Sequence, residues 1–285
     1  MPIIVELDMY SGLPNPAWEL SESEAETLTQ ILSKPRQSSA QRSPAVFSKL
    51  GYRGFILTPV ADTHLKSPAR VFDGLYAPES AGQPSYVDDD SEVEKFLLNA
   101  GKRVVSEEEF QFATGELEKN VSGGAANSLR DFGTLREPPF DPGKWNNNLE
   151  TLRRNNCYNY ANDIITNTFA QPGRGSGQIG PYPPTCPGTG DAARRDGQRP
   201  LPNPDMTPAE GQIIALVVSP FPTFSDYHWY RRDDNGRWSH KPGGTPATNR
   251  DNSGNAITDP RTCDRGYYTD FCGFYHCIPT QVRIR

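Results

Sequence analysis

The stretch Asp226-Tyr-His-Trp-Tyr-Arg-Arg232, the turn sequence Asp233-Asp-Asn-Gly236 and the stretch Arg237-Trp-Ser-His-Lys241 together predict a β-hairpin. Aromatic residues alternate with polar ones on both sides of an Asp/Asn/Gly cluster, which is the usual signal for two antiparallel strands. Upstream, Gly211-Gln-Ile-Ile-Ala-Leu-Val-Val-Ser-Pro220 is an apolar run typical of a strand that is buried on both faces. We therefore expect an antiparallel sheet with this strand at its centre.

The turn type of the hairpin decides where its two histidines lie. With the three-residue loop 234–236 and Gly236 in the left-handed conformation, Tyr230 faces His240, and His228 shares a sheet face with His240. A two-residue Asn-Gly loop would shift the register by one and turn His240 to the opposite face. We expect that the shared face of the first geometry meets the helix described next.

Cys157 lies in the run Arg-Arg-Asn-Asn-Cys-Tyr-Asn-Tyr-Ala-Asn (153–162), where a polar loop leads into a helix predicted to end near Phe169. A thiol at a helix N-terminus faces unpaired backbone N–H groups and the positive end of the helix dipole, which both favour the thiolate. Cys157 is therefore a candidate nucleophile of low pKa, and His228 is its candidate base. The alternative is that Cys157 is a small buried hydrophobe or one half of a disulfide.

Organisation along the chain suggests two parts joined by a linker. The N-terminal part predicts strands at 2–10 and Gly54–Pro59, and helices at Ser21–Lys34, Glu92–Ala100 and Ser106–Lys119. Capping boxes at Ser21-Glu-Ser-Glu24 and Ser106-Glu-Glu-Glu109 are predicted to open the first and last of these helices. Residues 120–148 are rich in helix and strand breakers. We expect an N-terminal α/β part of unknown role over 1–120, a linker over 121–148 and a second part over 149–285. Within the second part, 170–210 predicts a long loop that forms a lid or substrate rim.

Composition limits the possible partners. The chain has 285 residues and a formal net charge of −6 at pH 7, which opposes phosphate binding, so we expect no nucleic-acid partner. No stretch approaches the roughly 18 to 20 apolar residues of a membrane span. The first residues lack the basic and apolar regions of a signal peptide. We expect secretion or export by a route without a signal peptide, or a cytoplasmic location if the cysteines are reduced.

All five cysteines lie at or after Cys157. The other four are Cys186, Cys263, Cys272 and Cys277. We expect these four to form two disulfides, which would leave Cys157 as a free thiol; the sequence does not choose among the three pairings. The alternatives are reduced structural thiols, or a zinc site in which the last three join His276 at spacings that suit zinc poorly.

The motif Cys157-Tyr-Asn-Tyr-Ala161 resembles the Cys-x-x-Tyr-Ala start of the CHAP (cysteine, histidine-dependent amidohydrolase/peptidase) domains, within the permuted papain-like superfamily. The likeness covers residues 150–245. In that superfamily the Cys opens a helix, the His begins a strand, and a polar residue on the next strand orients the imidazole. The resemblance implies these roles for Cys157, His228 and His240. It also implies an α+β fold whose second part is papain-like, with a helix packed on an antiparallel sheet, and no metal or organic cofactor.

The resemblance further implies a cysteine-dependent hydrolase or acyltransferase that acts on amide bonds through a thioester. The expected substrates are peptides, peptidoglycan or protein side chains. The protein is therefore also a candidate toxin or effector. Asp226 and Asp251 compete with His240 as the orienting group. Four aromatic residues are expected to bind substrate, with sheet core as the alternative: Tyr158, Trp229, Tyr230 and Trp238. The competing hypothesis is a non-catalytic, toxin-associated or secreted binding protein on a papain-like scaffold.

Overall fold

The computed structural model describes residues 2–33, 48–60, 65, 67–79, 85–87, 91–119, 137–178, 183–205 and 210–285. The chain divides into two compact units. The first comprises Met1–Met9, Asn15–Ser43 and Tyr52–Gly124, and the second comprises Tyr10–Pro14, Pro44–Gly51 and Ala125–Arg285. The expected α+β class is confirmed, because each unit combines helices with an antiparallel sheet. Most of the predicted linker, residues 121–136, lies outside the described residues.

The first unit is built on a six-stranded sheet with the strand order β2-β1-β3-β4-β5-β6. Its strands are β1 (Ile3–Leu7), β2 (Ala17–Glu19), β3 (Phe55–Pro59), β4 (Ala69–Phe72), β5 (Leu75–Pro78) and β6 (Tyr86–Val87). Its helices are α1 (Glu22–Ser33), α2 (Glu92–Gly101) and α3 (Glu107–Lys119). The described strand pairs are antiparallel, so this part, expected to be α/β, is α+β in the strict sense. The predicted capping boxes at Ser21 and Ser106 are both formed.

A buried ion cluster joins three segments of the first unit. Asp8 follows β1 and is fully buried; Arg53 Nη2 lies 2.6 Å and Arg70 Nη1 2.7 Å from its carboxylate oxygens. Burial raises the pKa of Asp8, but the two guanidinium groups outweigh this effect and hold the pKa below its ordinary value. The cluster therefore contains an ionised carboxylate at neutral pH.

The second unit contains a five-stranded antiparallel sheet with the strand order β10-β9-β8-β11-β7. Its strands are β7 (Arg199–Leu201), β8 (Gln212–Phe221), β9 (Phe224–Arg232), β10 (Trp238–His240) and β11 (Asp270–Cys277). Its helices are α4 (Pro142–Asn146), α5 (Leu149–Arg154), α6 (Cys157–Asn162) and α7 (Cys186–Arg195). Strand β8 is the central strand, as predicted from its apolar run.

The β9–β10 hairpin has the expected register. Tyr230 pairs with His240, the Asp233 N–H donates to the Arg237 carbonyl, and Gly236 has a φ of 75°. The three-residue loop is therefore confirmed. Because side chains alternate along a strand, His228 lies on the same sheet face as Tyr230 and His240.

Helix α6 is shorter than predicted, since it ends at Asn162 and not near Phe169. The Asn155 side-chain oxygen accepts the backbone N–H groups of Thr166 and Asn167, both at 3.0 Å. A short amide side chain that accepts backbone N–H groups in this way stabilises the loop and competes with continuation of the helix.

The predicted long loop at 170–210 contains two regular elements, helix α7 and strand β7. Thr185 caps α7 by accepting the Gly188 N–H at 3.1 Å, and Pro187 stands in the first turn. A threonine followed closely by proline is a helix-start signal. The many glycine and proline residues of this stretch nevertheless led to the prediction of a loop. Residues 179–182 and 206–209 of this stretch lie outside the described residues.

Candidate functional site

Cys157 occupies the first turn of α6, as predicted, and its side chain is completely buried. Asn156 caps the helix, and its side-chain oxygen accepts the N–H groups of Tyr158 at 3.0 Å and Asn159 at 3.1 Å. The capping amide therefore uses helix-start donors that were expected to face the thiol.

The two hairpin histidines form a buried hydrogen-bonded chain. His228 Nε2 lies 2.9 Å from His240 Nδ1, and His240 Nε2 lies 2.9 Å from the Arg250 carbonyl oxygen. Both rings are fully buried. His240 is thus the group in contact with the His228 ring, whereas Asp226 and Asp251, the alternative orienting residues, bind backbone N–H groups.

This chain fixes the tautomers of both rings. The Arg250 carbonyl can only accept, so His240 Nε2 carries a hydrogen, and in a neutral ring His240 Nδ1 is then an acceptor. His228 Nε2 must therefore donate to it. It follows that neutral His228 holds its basic lone pair on Nδ1.

We expected α6 to cover the sheet face that carries His228 and His240. This expectation was wrong, because α6 covers the opposite face. Cys157 and Tyr158 pack in one core cluster with Tyr227 and Trp229, which alternate with His228 along β9. However, the Trp229 backbone N–H lowers the pKa of Cys157, so the thiol lies near the peptide bond that follows His228.

The electrostatic setting of Cys157 contradicts the expected low pKa. Burial, followed by the nearby Asp226 carboxylate, raises the pKa of Cys157 well above its ordinary value. The backbone N–H groups of Trp229 and Tyr158 and the Lys241 cation oppose this rise without cancelling it. The thiol is consequently neutral at pH 7 in this conformation.

Lys241 is a fully buried cation beside the start of α6. Its Nζ donates to the carbonyl oxygens of Leu152 at 2.5 Å, Asn155 at 2.6 Å and Gly243 at 2.8 Å. It thereby holds the C-terminal end of α5, directly before Cys157.

A short segment from the N-terminal part of the sequence belongs to this site. We name Ser11–Leu13 the strap. Asp226 on β9 is fully buried, and its carboxylate accepts the N–H groups of Ser11 at 2.6 Å, Gly12 at 3.2 Å and Leu13 at 2.9 Å. Tyr268 donates its hydroxyl to the same carboxylate at 2.5 Å. Burial raises the pKa of Asp226, and these hydrogen bonds oppose the rise.

The Gly12 carbonyl of the strap is held by three side-chain donors. Asn156 Nδ2 lies 3.0 Å, Gln171 Nε2 2.8 Å and the Tyr227 hydroxyl 3.1 Å from the carbonyl oxygen. Sequence reasoning missed the strap, Gln171 and Lys241. Gly12 and Asn156 are 144 residues apart in the chain. The turn-like sequence of the strap does not indicate that these two residues are in contact.

The cysteine pairing differs from the expected two disulfides. One disulfide joins Cys186 to Cys272, and Cys157, Cys263 and Cys277 are free thiols. Cys277 is buried in the sheet core, where its thiol lies 3.3 Å from the Asn162 side-chain oxygen. The zinc alternative fails, because Cys272 is covalently paired and cannot be a thiolate ligand.

The four aromatic residues expected to bind substrate are core residues. Their exposed fractions are between 0% and 4%. The Tyr158 ring of α6 packs on the Trp229 ring of β9, with ring centroids 5.6 Å apart. Tyr230 stacks on His240 with ring centroids 5.0 Å apart, and Trp238 packs on Phe274. They form no open aromatic platform.

Comparison with known proteins places the chain in a family. No protein-family model matches it, and no solved structure does. Over 137 aligned residues, which are 47% of this chain and 86% of the relative, it is 52% identical to "Insoluble matrix shell protein 1" of Ruditapes philippinarum. At this identity and coverage of the relative, the chain belongs to the family of insoluble matrix shell protein 1.

Proposed function

We propose that the second unit is a cysteine-dependent amide hydrolase or acyltransferase, in which Cys157 is the nucleophile, His228 its base and His240 a positioning residue. The observation that carries the proposal is the buried chain from His228 through His240 to the Arg250 carbonyl. It leaves the basic lone pair on His228 Nδ1, which is the arrangement that a general base requires. The Trp229 N–H, which follows His228 in the chain, lowers the pKa of Cys157 and so lies near the thiol, which supports the same assignment.

The reaction begins with proton transfer from the Cys157 sulfur to His228 Nδ1. The thiolate then attacks the amide carbonyl carbon, a C–S bond forms, and the C–N bond breaks as the leaving amine takes the proton from His228. Water or an acceptor amine next attacks the thioester, releases the acyl group and returns the proton to sulfur. Because burial keeps the free thiol neutral, the proton transfer belongs to the substrate complex and not to the resting protein.

Turnover of p-nitrophenyl acetate and of peptide 4-nitroanilides tests this proposal. Cys157→Ala should abolish turnover, and His228→Ala should lower kcat about 100- to 10,000-fold through loss of the general base. Cys277→Ala and His276→Ala are matched controls: Cys277 is another buried free thiol of the same core, and the His276 ring contacts the Glu210 carbonyl. Turnover that survives in Cys157→Ala, or falls equally in the controls, would refute the catalytic assignment.

A second candidate is a structural, non-catalytic component of an extracellular matrix, which the name of the matched relative favours. Sedimentation of the purified protein into insoluble material would measure such a role. In that case Cys157→Ala and His228→Ala should sediment like the wild type. Loss of sedimentation in both variants, without loss of folding, would tie assembly to the catalytic site instead.

We propose an extracellular location for either function. The Cys186–Cys272 disulfide is stable in oxidising compartments, and the shell-matrix relative points the same way. Among the described residues, helices with the length and apolarity needed to cross a bilayer are absent. Peptides, peptidoglycan and protein side chains remain the proposed substrates.

A further inference from the structure

The strap is bound in the way that a protein binds a peptide ligand. Side chains from β9, from the N-cap of α6 and from the loop after α6 bind the three N–H groups of the strap and its Gly12 carbonyl, so the protein recognises main-chain atoms. Its Leu13 packs against the core cluster that contains Cys157. The residues that grip the strap, Asn156 and Asp226, also flank the thiol: Asn156 precedes Cys157, and Asp226 raises its pKa.

Position 12 accepts only glycine in this arrangement. A Cβ built on Gly12 would lie 2.5 Å from both the Tyr227 ring and the Tyr227 backbone oxygen. Backbone oxygen cannot move aside as a flexible side chain does. The pocket around the Gly12 carbonyl thus discriminates against every side chain at that position.

We propose that the strap is a tethered occupant of a peptide-binding subsite beside Cys157, and that this subsite takes substrates with glycine at the position that Gly12 holds. This inference rests on the proposed amide chemistry and names its substrate class. While the strap is bound, it keeps Cys157 closed to other molecules. A substrate peptide enters when the strap leaves and then uses the same donors from Asn156, Gln171 and Tyr227.

Alkylation of the free thiols by iodoacetamide, read by peptide mass mapping, tests the proposal. Gly12→Val should raise the labelling rate of Cys157 about 10- to 100-fold, because overpacking displaces the strap. Tyr227→Phe, which removes one donor without adding volume, should raise it about 2- to 10-fold. Cys277 is equally buried in the same unit and should keep its wild-type rate in both variants. Gly115→Val is the matched control, because a Cβ there meets no atom within 4 Å.

The peptide acetyl-Tyr-Ser-Gly-Leu-Pro-amide should restore protection of Cys157 in Gly12→Val, and the same peptide with alanine for glycine should not. The proposal is overturned if Cys157 stays as unreactive as in the wild type, if Cys157 and Cys277 become reactive together, or if neither peptide or both peptides protect. Since labelling and protection need no base, both should persist in the His228→Ala background. If both persist while the wild type and Gly12→Val show no Cys157-dependent turnover, the proposed function alone is refuted.

Discussion

At the scale of single residues, Cys157 is held by opposing forces. Burial and Asp226 disfavour its thiolate, while Lys241 and two backbone N–H groups favour it, and the first pair prevails. The same burial that packs α6 onto the sheet therefore keeps the nucleophile in its unreactive form. Cys157 can therefore become a reactive thiolate only through a change of conformation or in the presence of bound substrate. Its position at the start of α6 is not sufficient.

We predict that Cys157 in the wild-type protein reacts with iodoacetamide more slowly than Cys263 at every pH from 6 to 9. Cys157 is fully buried with a strongly raised pKa, whereas Cys263 is partly exposed and burial raises its pKa to about 11. Rates are measured for each cysteine by mass mapping. Fast labelling of Cys157 at pH 6 would contradict the raised pKa and restore the sequence-based expectation.

Lys241→Met should destabilise the second unit by about 1–3 kcal/mol for each carbonyl left without a replacement donor. The change removes the donor that now binds Leu152, Asn155 and Gly243. It also removes a cation that lowers the pKa of Cys157, so labelling of the folded variant should shift to higher pH. The control is Lys144→Met, whose ion pair with Asp163 is partly exposed and should contribute little. Urea unfolding measures the free energies, and equal losses in the two variants would contradict the buried role of Lys241.

At the scale of elements, the sequence predicted what local chemistry controls. The capping boxes at Ser21 and Ser106, the central strand β8 and the register of the β9–β10 hairpin all follow from short-range patterns. What it could not predict depends on distant contacts. Packing determines which face of the sheet α6 covers, and it brings the strap to Asp226. The periodicity of the sequence does not encode either contact.

Gly236→Ala should destabilise the hairpin by about 1–2 kcal/mol, whereas Gly236→Asn should cost less. The residue has a φ of 75° and open space around its Cβ position, so the penalty is purely conformational. Unfolding free energies of the two variants test this prediction. An alanine variant as stable as the wild type would mean that the loop can adopt another turn, with loss of the register that pairs Tyr230 with His240.

Asp8→Asn should lower the stability of the first unit by about 3–5 kcal/mol, because it leaves the buried guanidinium groups of Arg53 and Arg70 without their carboxylate. The native pKa of Asp8 is lowered, so its contribution is present above the unfolded pKa and is lost as pH falls through the native value. Urea unfolding from pH 7 to pH 2, read by the NMR amide signals of β1 and β3, should show this loss in the wild type and not in Asp8→Asn. The control is Glu116→Gln, which removes an exposed ion pair with Lys119.

At the scale of the whole molecule, the two units are secured by different means. The first relies on a sheet core and the Asp8 cluster, and the second adds a covalent link between α7 and β11. The disulfide closes 86 residues of chain, a segment that includes β8, β9 and β10. It therefore restricts the unfolded chain over the whole region that carries His228 and His240.

Replacing both partners in the Cys186→Ser, Cys272→Ser variant should lower the unfolding free energy of the second unit by about 4.6 kcal/mol, as expected for a closed loop of 86 residues. Reduction of the wild type by dithiothreitol should give the same loss. Cys263→Ser is the control, since it removes a free thiol and leaves the loop closed. Hydrogen exchange separates the units: amides of β8 and β9 should lose protection, while those of β1 and β3 keep it. Equal losses in both sheets would mean that the disulfide stabilises the entire chain and not the second unit alone.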